Sequence, residues 1–131
     1  MPKDKAKAAP RILLVDDDPI FTKLMGKIAQ KEKMHLVSFL SVREAYRDLM
    51  HENYDVVILV YDLGKVTGIQ LSHYIENRGH LAPVVLVSAS GAIDKQRWSK
   101  SVKDSLPKSL GPYAIFVSAI RAYDEAQANK M

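Results

Sequence analysis

The sequence has no cysteine, so its 131 residues offer neither a disulfide framework nor a thiolate metal site. No apolar run approaches the length of a membrane span, and the first residues, MPKDKAKAAP, lack the apolar centre of a signal peptide. The histidines are scattered without metal-ligand spacing. These absences favour a cytoplasmic protein that binds no membrane and depends on a hydrophobic core for its fold.

Basic residues exceed acidic ones only slightly, by 19 to 15. Three of the lysines belong to residues 1–10, an alanine- and proline-rich stretch that we interpret as a flexible basic tail. A nucleic-acid surface would show clustered basic residues with aromatic or base-reading side chains, whereas the rest of this excess is scattered. We therefore expect no nucleic-acid partner. The length of the chain predicts one domain, over residues 11–126, followed by a C-terminal tail over residues 127–131.

Three short apolar runs, ILLV (12–15), VVILV (56–60) and VVLVS (84–88), are rich in β-branched residues and do not alternate with polar ones. Strands buried on both faces have this pattern, which indicates a parallel sheet covered by helices. HLVSFL (35–40) and KDSL (103–106) predict two further strands. Segments of helical periodicity separate these runs. The order is therefore β-α repeated five times, which predicts a doubly wound α/β fold.

The first helix has both a start signal and an apolar stripe. Asp18 is suited to cap the helix, and Pro19 to occupy its first turn. Ile20, Leu24 and Ile28 recur at intervals of four residues, with Phe21 and Met25 beside them, and together they predict an apolar stripe.

Doubly wound sheets form their sites at the carboxyl ends of the strands. Four strand ends supply the candidates here: Asp16 and Asp17, residues 60–62, residues 88–90, and Lys108. Adjacent aspartates facing a lysine would make a small charged pocket, and their oxygen ligands favour Mg²⁺. Alternatively, the aspartates of DDDP serve only the helix start, through its dipole. We prefer that role for Asp18 and the pocket for Asp16 and Asp17.

From Arg11 to Ala126 the chain resembles the receiver domain of response regulators in two-component signalling. The resemblance lies in LLVDDDP, the glycine at 68, VVLVSAS and SLPKS, taken together and in this order. It implies a flavodoxin-like (βα)₅ fold with strand order 2-1-3-4-5. It also implies a function, in which a histidine kinase passes a phosphoryl group to an aspartate at the end of the third strand.

The resemblance assigns roles to the strand-end residues. Asp16, Asp17 and the main-chain oxygen of Asp62 would bind Mg²⁺. Ser88 would be the switch hydroxyl, and Lys108 would contact the phosphoryl group. Phosphoryl transfer depends mainly on positioning and on neutralising oxygen charge, which is why this set of groups is needed.

Several positions depart from the family pattern. Receivers place the acceptor aspartate eight residues before the loop glycine, and here that position is Val60, which has no nucleophile. Ser105 stands where the family has an aromatic reporter residue, and Ser109 replaces the proline after Lys108. The stretch between Ser88 and Lys108 is also shorter than usual, which predicts a trimmed or irregular fourth helix.

These departures predict weak or absent Mg²⁺ binding and no other cofactor. They also predict that Asp16, Asp17 and Lys108 persist mainly as an ion pair. Asp62 could substitute as acceptor, but it lies two residues further along, and transfer sites lose heavily from displacements of about 1 Å.

The last helix, from GPYAIFVSAIRAYDE, is apolar nearly all round, which favours a second burial site besides the sheet. Family members commonly signal through the face of the fourth helix, fifth strand and fifth helix. We expect a signalling partner or a homodimer there, with these contact residues: Trp98, Tyr113, Phe116, Val117 and Tyr123. The alternative is that Tyr113 and Tyr123 merely lie on the surface, and Trp98 is better suited to core packing.

The sequence therefore predicts a degenerate receiver, a phosphorylation-independent interaction module in bacterial signal transduction that is not an enzyme. One alternative is a working receiver that uses Asp62 in a phosphorelay. A second is an unrelated nucleotide- or flavin-binding doubly wound protein. Against the second, the DDDPI turn would repel phosphate and lacks the glycines that let backbone approach it.

Overall fold

The computed structural model describes residues 9–130, so most of the predicted N-terminal tail lies outside the described residues. Five parallel strands form the main sheet: β1 (Arg11–Val15), β2 (His35–Phe39), β3 (Val56–Val60), β6 (Val84–Ser88) and β7 (Val102–Pro107). Their order is β2-β1-β3-β6-β7. A small antiparallel hairpin, β4 (Asp62–Leu63) and β5 (Val66–Thr67), follows β3. The predicted doubly wound sheet and its strand order are confirmed.

Within residues 9–130, three α-helices connect the strands and a fourth follows the last strand: α1 (Pro19–Lys31), α2 (Val42–Leu49), α3 (Gly68–Asn77) and α4 (Pro112–Asn129). Between β6 and β7 the chain forms only a short 3₁₀ turn, Lys95–Arg97, where an α-helix would complete the fivefold pattern. The predicted irregularity of this connection is thus found. None of the helices within residues 9–130 is both long and apolar enough to cross a bilayer.

The apolar strands separate two core layers. On one face, β1 and β3 pack with α1 and α4, and on the other face with α2 and α3. All five residues of β3 are buried, because helices cover both of its faces. Because the strands of the main sheet run parallel, the carboxyl ends of β1, β3, β6 and β7 lie along the same side of the sheet. The candidate residues predicted from the sequence lie at these ends.

Only part of the predicted apolar stripe of α1 faces the sheet. Ile20 is 71% exposed and Leu24 is also exposed, whereas Phe21, Met25 and Ala29 are buried against the sheet. The two series are offset by one position, which rotates the buried face by about 100°. The larger pair, Phe21 and Met25, fills the space next to the strands.

The predicted C-terminal boundary also differs. Helix α4 continues to Asn129, so residues 127–129 extend the helix rather than form a tail. At the other end, Pro10 is buried at the entry to β1 and belongs to the folded unit. Two residues on the core side of α4, Ile115 and Ala119, are fully buried.

Candidate functional site

Val60 ends the third strand of the sheet, and its side chain belongs to the core. It is 5% exposed and packs in the same cluster as Ile58, Val85 and Val87. The position of Gly68 fixes the register of the following loop. A side chain at Gly68 would have its Cβ only 2.6 Å from the carbonyl oxygen of Val60, so this backbone approach requires glycine.

Lys108 makes a double ion pair across the strand ends. Its Nζ lies 3.0 Å from Oδ2 of Asp16 and 3.3 Å from Oδ2 of Asp18. Asp17 is exposed and forms no ion pair with a residue in the described range 9–130. The expected trio of Asp16, Asp17 and Lys108 is therefore corrected. Asp18 takes the place of Asp17, because side chains at Asp16 and Asp18 project to the same side of the turn.

Asp18 also performs the helix-capping role predicted for it. Its carboxylate accepts hydrogen bonds from the backbone N–H groups of Ile20 and Phe21, at 2.9 and 3.3 Å. These bonds, together with Lys108, hold the pKa of Asp18 below its usual value. One carboxylate thus serves the helix terminus and the lysine together.

Asp16 is the only aspartate of this group that is fully buried. Its Oδ1 accepts a hydrogen bond from the N–H of Asp18, while Oδ2 has Lys108 as its ionic partner. Burial raises the pKa of Asp16, and this effect outweighs the opposing influence of Lys108. Lys108 is itself partly desolvated, which lowers its pKa, but the two carboxylates together raise it above the usual value. Asp16 and Lys108 thus form a charged pair in which burying the Asp16 carboxylate costs free energy.

Asp62 lies at the start of the hairpin that follows β3. The residue is exposed, and its Oδ1 lies 3.5 Å from the N–H of Gly64 within the same turn. Asp62 is two residues after Val60. It pairs with Thr67 across the hairpin, and this pairing holds its backbone in place. Among the described contacts, none joins its side chain to Asp16 or Lys108.

Asp16, Asp17 and the main-chain oxygen of Asp62 are the groups that would hold a magnesium ion. Mg²⁺ takes oxygen ligands in near-octahedral geometry, of which one or two are carboxylates and several are waters. Oδ1 of Asp16 accepts from the Asp18 N–H, whereas Oδ2 has only the ionic contact with Lys108 and no hydrogen bond. Asp17 and Asp62 are exposed rather than gathered around a common centre. Within residues 9–130, no group of three or more acidic or histidine residues could hold a metal. Lys108 supplies the positive charge in this pocket.

The two serines to which the resemblance assigns switch positions, Ser88 and Ser105, both make hydrogen bonds through their hydroxyls. Ser88 is buried, and its Oγ lies 3.1 Å from Oγ of Ser90 while accepting from the Ser90 N–H at 3.2 Å. Ser105 is also buried, and its Oγ accepts a 2.7 Å hydrogen bond from the N–H of Ile93. A hydroxyl thus ties β7 to the loop after β6. The Lys108–Ser109 peptide bond is trans, as expected without proline.

The predicted partner residues divide into surface and core. Tyr113 is 60% exposed, and Val117 and Tyr123 are half-buried. Phe116 is 3% exposed and packs in the core, so its assignment to the partner face is wrong. Phe116 follows Ile115 in α4. Because α4 packs on both α1 and the sheet, both side chains are buried in the core. Trp98 is half-buried against the core, the placement that we preferred.

One contact at the site edge was not predicted. Arg97 donates a 2.7 Å hydrogen bond to the hydroxyl of Tyr61, and its guanidinium carbon lies 5.3 Å from the centre of that ring. The 3₁₀ turn is thereby joined to the residue directly after Val60. The sequence offers no periodic signal for such a contact, because Tyr61 lies in a loop and Arg97 in a single 3₁₀ turn.

Comparisons with known proteins agree with this geometry. The model of the response regulator receiver domain family matches residues 12–119. The chain belongs to the response regulator receiver domain family. Receivers are signalling modules of two-component systems, and nothing in the match favours an unrelated nucleotide- or flavin-binding protein.

Individual relatives match this receiver over part of their length. It is 35% identical over 82 residues to the transcriptional regulatory protein GlrR of Escherichia coli K12, which is 63% of this chain and 18% of that protein. It is 30% identical over 84 residues to the response regulator protein PilR of Pseudomonas aeruginosa, covering 64% and 19%. The chain thus spans about a fifth of the length of these curated relatives.

The fold also matches solved receivers. A CheY-like receiver domain protein from Methanospirillum hungatei superposes with a TM-score of 0.81 at 17% identity, covering 93% of this chain and 99% of that one. Such a low identity shows the fold alone.

Proposed function

We propose that this receiver is phosphorylation-independent and acts as a protein–protein interaction module in bacterial two-component signalling. It has no catalytic role in this proposal, and it works in the cytoplasm. It signals through a protein contact rather than through an acyl phosphate. The single observation that carries the proposal is the buried valine at the end of the third strand.

A receiver that accepts a phosphoryl group needs an oxygen nucleophile at that strand end. Val60 places a branched hydrocarbon there, and its side chain is already committed to the core with Val85 and Val87. The contact between Gly68 and the carbonyl of Val60 supports the register on which the assignment depends. Asp62, the nearest carboxylate along the chain, belongs to the exposed hairpin.

The rest of the pocket is consistent with a silent site. In a phosphorylated receiver, the lysine and the acidic pair would neutralise the phosphoryl oxygens directly or through a metal. Here Lys108 is bound to Asp16 and Asp18, and these contacts would have to break before the lysine could reach a phosphoryl group. We therefore expect Mg²⁺ to bind weakly or not at all.

The outer side of α4 offers a surface for a partner or for a second copy. A shallow groove of about 400 Å³ runs between this helix and β7, and its lining includes Leu106, Leu110, Tyr113, Val117 and Arg121. Leu110 and Tyr113 are exposed, so the groove presents apolar area next to a charged rim. This surface supports the expected contact through the last strand and the last helix.

Treatment with acetyl phosphate and Mg²⁺, followed by intact-mass measurement, tests the proposal. We expect no gain of a phosphoryl group, because the acceptor position has no oxygen. A receiver that retains its acceptor aspartate, treated in parallel, shows that the donor is active. An adduct that forms on the wild type and disappears in Asp62→Asn would contradict the proposal and establish Asp62 as the acceptor.

A further inference from the structure

The connection between β6 and β7 carries a local excess of positive charge. Residues 94–103, here called the cationic loop, comprise Asp94, the 3₁₀ turn, the residues that follow it and the first two residues of β7. In this segment Asp94 is the one exposed carboxylate, against four exposed cations: Lys95, Arg97, Lys100 and Lys103. None of the four cations forms a salt bridge with another residue of the described range. A net charge of about +3 is therefore presented on ten residues of surface.

Side chains hold the backbone around this loop in place. Ile93 is buried, its N–H donates to Ser105 Oγ at 2.7 Å, and its carbonyl accepts from the Trp98 indole at 3.0 Å. Ser101 Oγ donates to Glu76 at 3.2 Å, which ties the other end of the loop to α3. A charged surface that is already ordered loses less conformational entropy when a partner binds.

The charges are oriented without being neutralised. Arg97 bonds to the neutral hydroxyl of Tyr61 and lies over its ring. The Nζ of Lys95 lies 5.7 Å from the centre of the Trp98 ring. Contacts with neutral rings position a cation while leaving its charge available to an approaching anion.

We propose that the cationic loop binds an acidic segment of a partner protein. The inference rests on the proposed role as an interaction module, and it names the chemistry of the partner. A protein segment is favoured over a membrane for the following reason. Peripheral membrane binding inserts large apolar side chains into the bilayer. Within residues 9–130, the large exposed apolar side chains all lie outside the cationic loop. A protein segment is favoured over a nucleic acid because the rings of Tyr61 and Trp98 already contact cations and the core instead of being free to stack on bases.

A charge-reversal pair tests the proposal. The loop variant is Lys95→Glu/Arg97→Glu/Lys100→Glu. The control, Lys23→Glu/Lys27→Glu/Lys31→Glu, makes the same change in net charge on exposed lysines of α1. The probe is a fluorescein-labelled glutamate-rich peptide, followed by fluorescence anisotropy without any phosphodonor. Circular dichroism and thermal melts check that both variants are folded.

We expect the loop variant to weaken peptide binding by at least about tenfold at low salt, and the control by less than about twofold. Neutral Gln substitutions at the loop positions should give an intermediate loss. An equal loss in both triple variants would show that net charge alone is responsible and would overturn the proposal. It would also be overturned if the wild type bound duplex DNA or phosphatidylserine vesicles more tightly than the peptide. The anisotropy experiment does not depend on phosphoryl transfer. A phosphoryl adduct in the mass experiment would therefore contradict the proposed function without changing the result for peptide binding.

Discussion

Lys108→Met is expected to lower the free energy of unfolding by about 2–3 kcal/mol at neutral pH, because it leaves the Asp16 carboxylate buried without a cation. Removing one partner of a fully buried pair costs about 3–5 kcal/mol, and the partial exposure of Lys108 reduces that figure because water can approach the pocket. Urea denaturation of the two proteins measures the difference.

The effect should depend on pH with a defined sign. The folded-state pKa of Asp16 is raised, and loss of Lys108 raises it further. A carboxyl of this kind contributes stability that is present below its unfolded pKa of about 4 and is lost as pH rises through the folded pKa. The deficit of the variant should therefore be larger at neutral pH than in mild acid.

A second substitution separates the ion pair from the rest of the pocket. Asp16→Asn removes the buried charge but keeps an acceptor for the N–H of Asp18, so it should cost at most about 1 kcal/mol. In the Asp16→Asn background, Lys108→Met should cost far less than it does alone. Similar costs in both backgrounds would show that Lys108 does not compensate Asp16.

Val60→Asp is expected to destabilise the protein by about 3 kcal/mol at neutral pH, because the new carboxylate replaces a methyl-bearing side chain packed in the core. Val60→Thr is the matched control, since it keeps the shape and exchanges one methyl group for a hydroxyl, at a cost of about 1–2 kcal/mol. Equilibrium urea curves at neutral and mildly acidic pH provide the comparison.

Burial should raise the pKa of the introduced carboxyl, so the deficit of Val60→Asp should shrink as pH falls and the group becomes neutral. A Val60→Asp protein as stable as the wild type at neutral pH would show that this side chain faces solvent. Position 60 could then hold an acceptor aspartate, and the valine would differ from a working site only by the missing nucleophile.

Much of the fold could be predicted from the sequence because its strands are continuous apolar runs. Val56 to Val60 and Val84 to Ser88 cannot be mistaken for surface strands, and the alternation with helices leaves few topologies. The meeting of Asp16 with Lys108 also follows from topology, since parallel strands deliver their carboxyl ends to one edge.

Other features depend on side-chain packing that the sequence does not specify. Two overlapping series of apolar residues occur in α1, and only the structure shows that Phe21 and Met25 face the sheet while Ile20 does not. Likewise, Asp18 reaches Lys108 while capping the helix, which one-dimensional spacing cannot distinguish from capping alone. The bond from Ile93 to Ser105 joins residues of different elements and has no periodic signature.

The most direct test of the proposal that the acceptor site is silent is a ¹H–¹⁵N correlation spectrum recorded before and after addition of beryllofluoride and Mg²⁺. Beryllofluoride mimics a phosphoryl group only when a carboxylate oxygen holds it at the strand end. With a hydrocarbon at Val60 and the amine of Lys108 bound to Asp16, the amide signals of Ser88, Gly68 and Lys108 should stay in place. Saturable movement of these three signals would contradict the account.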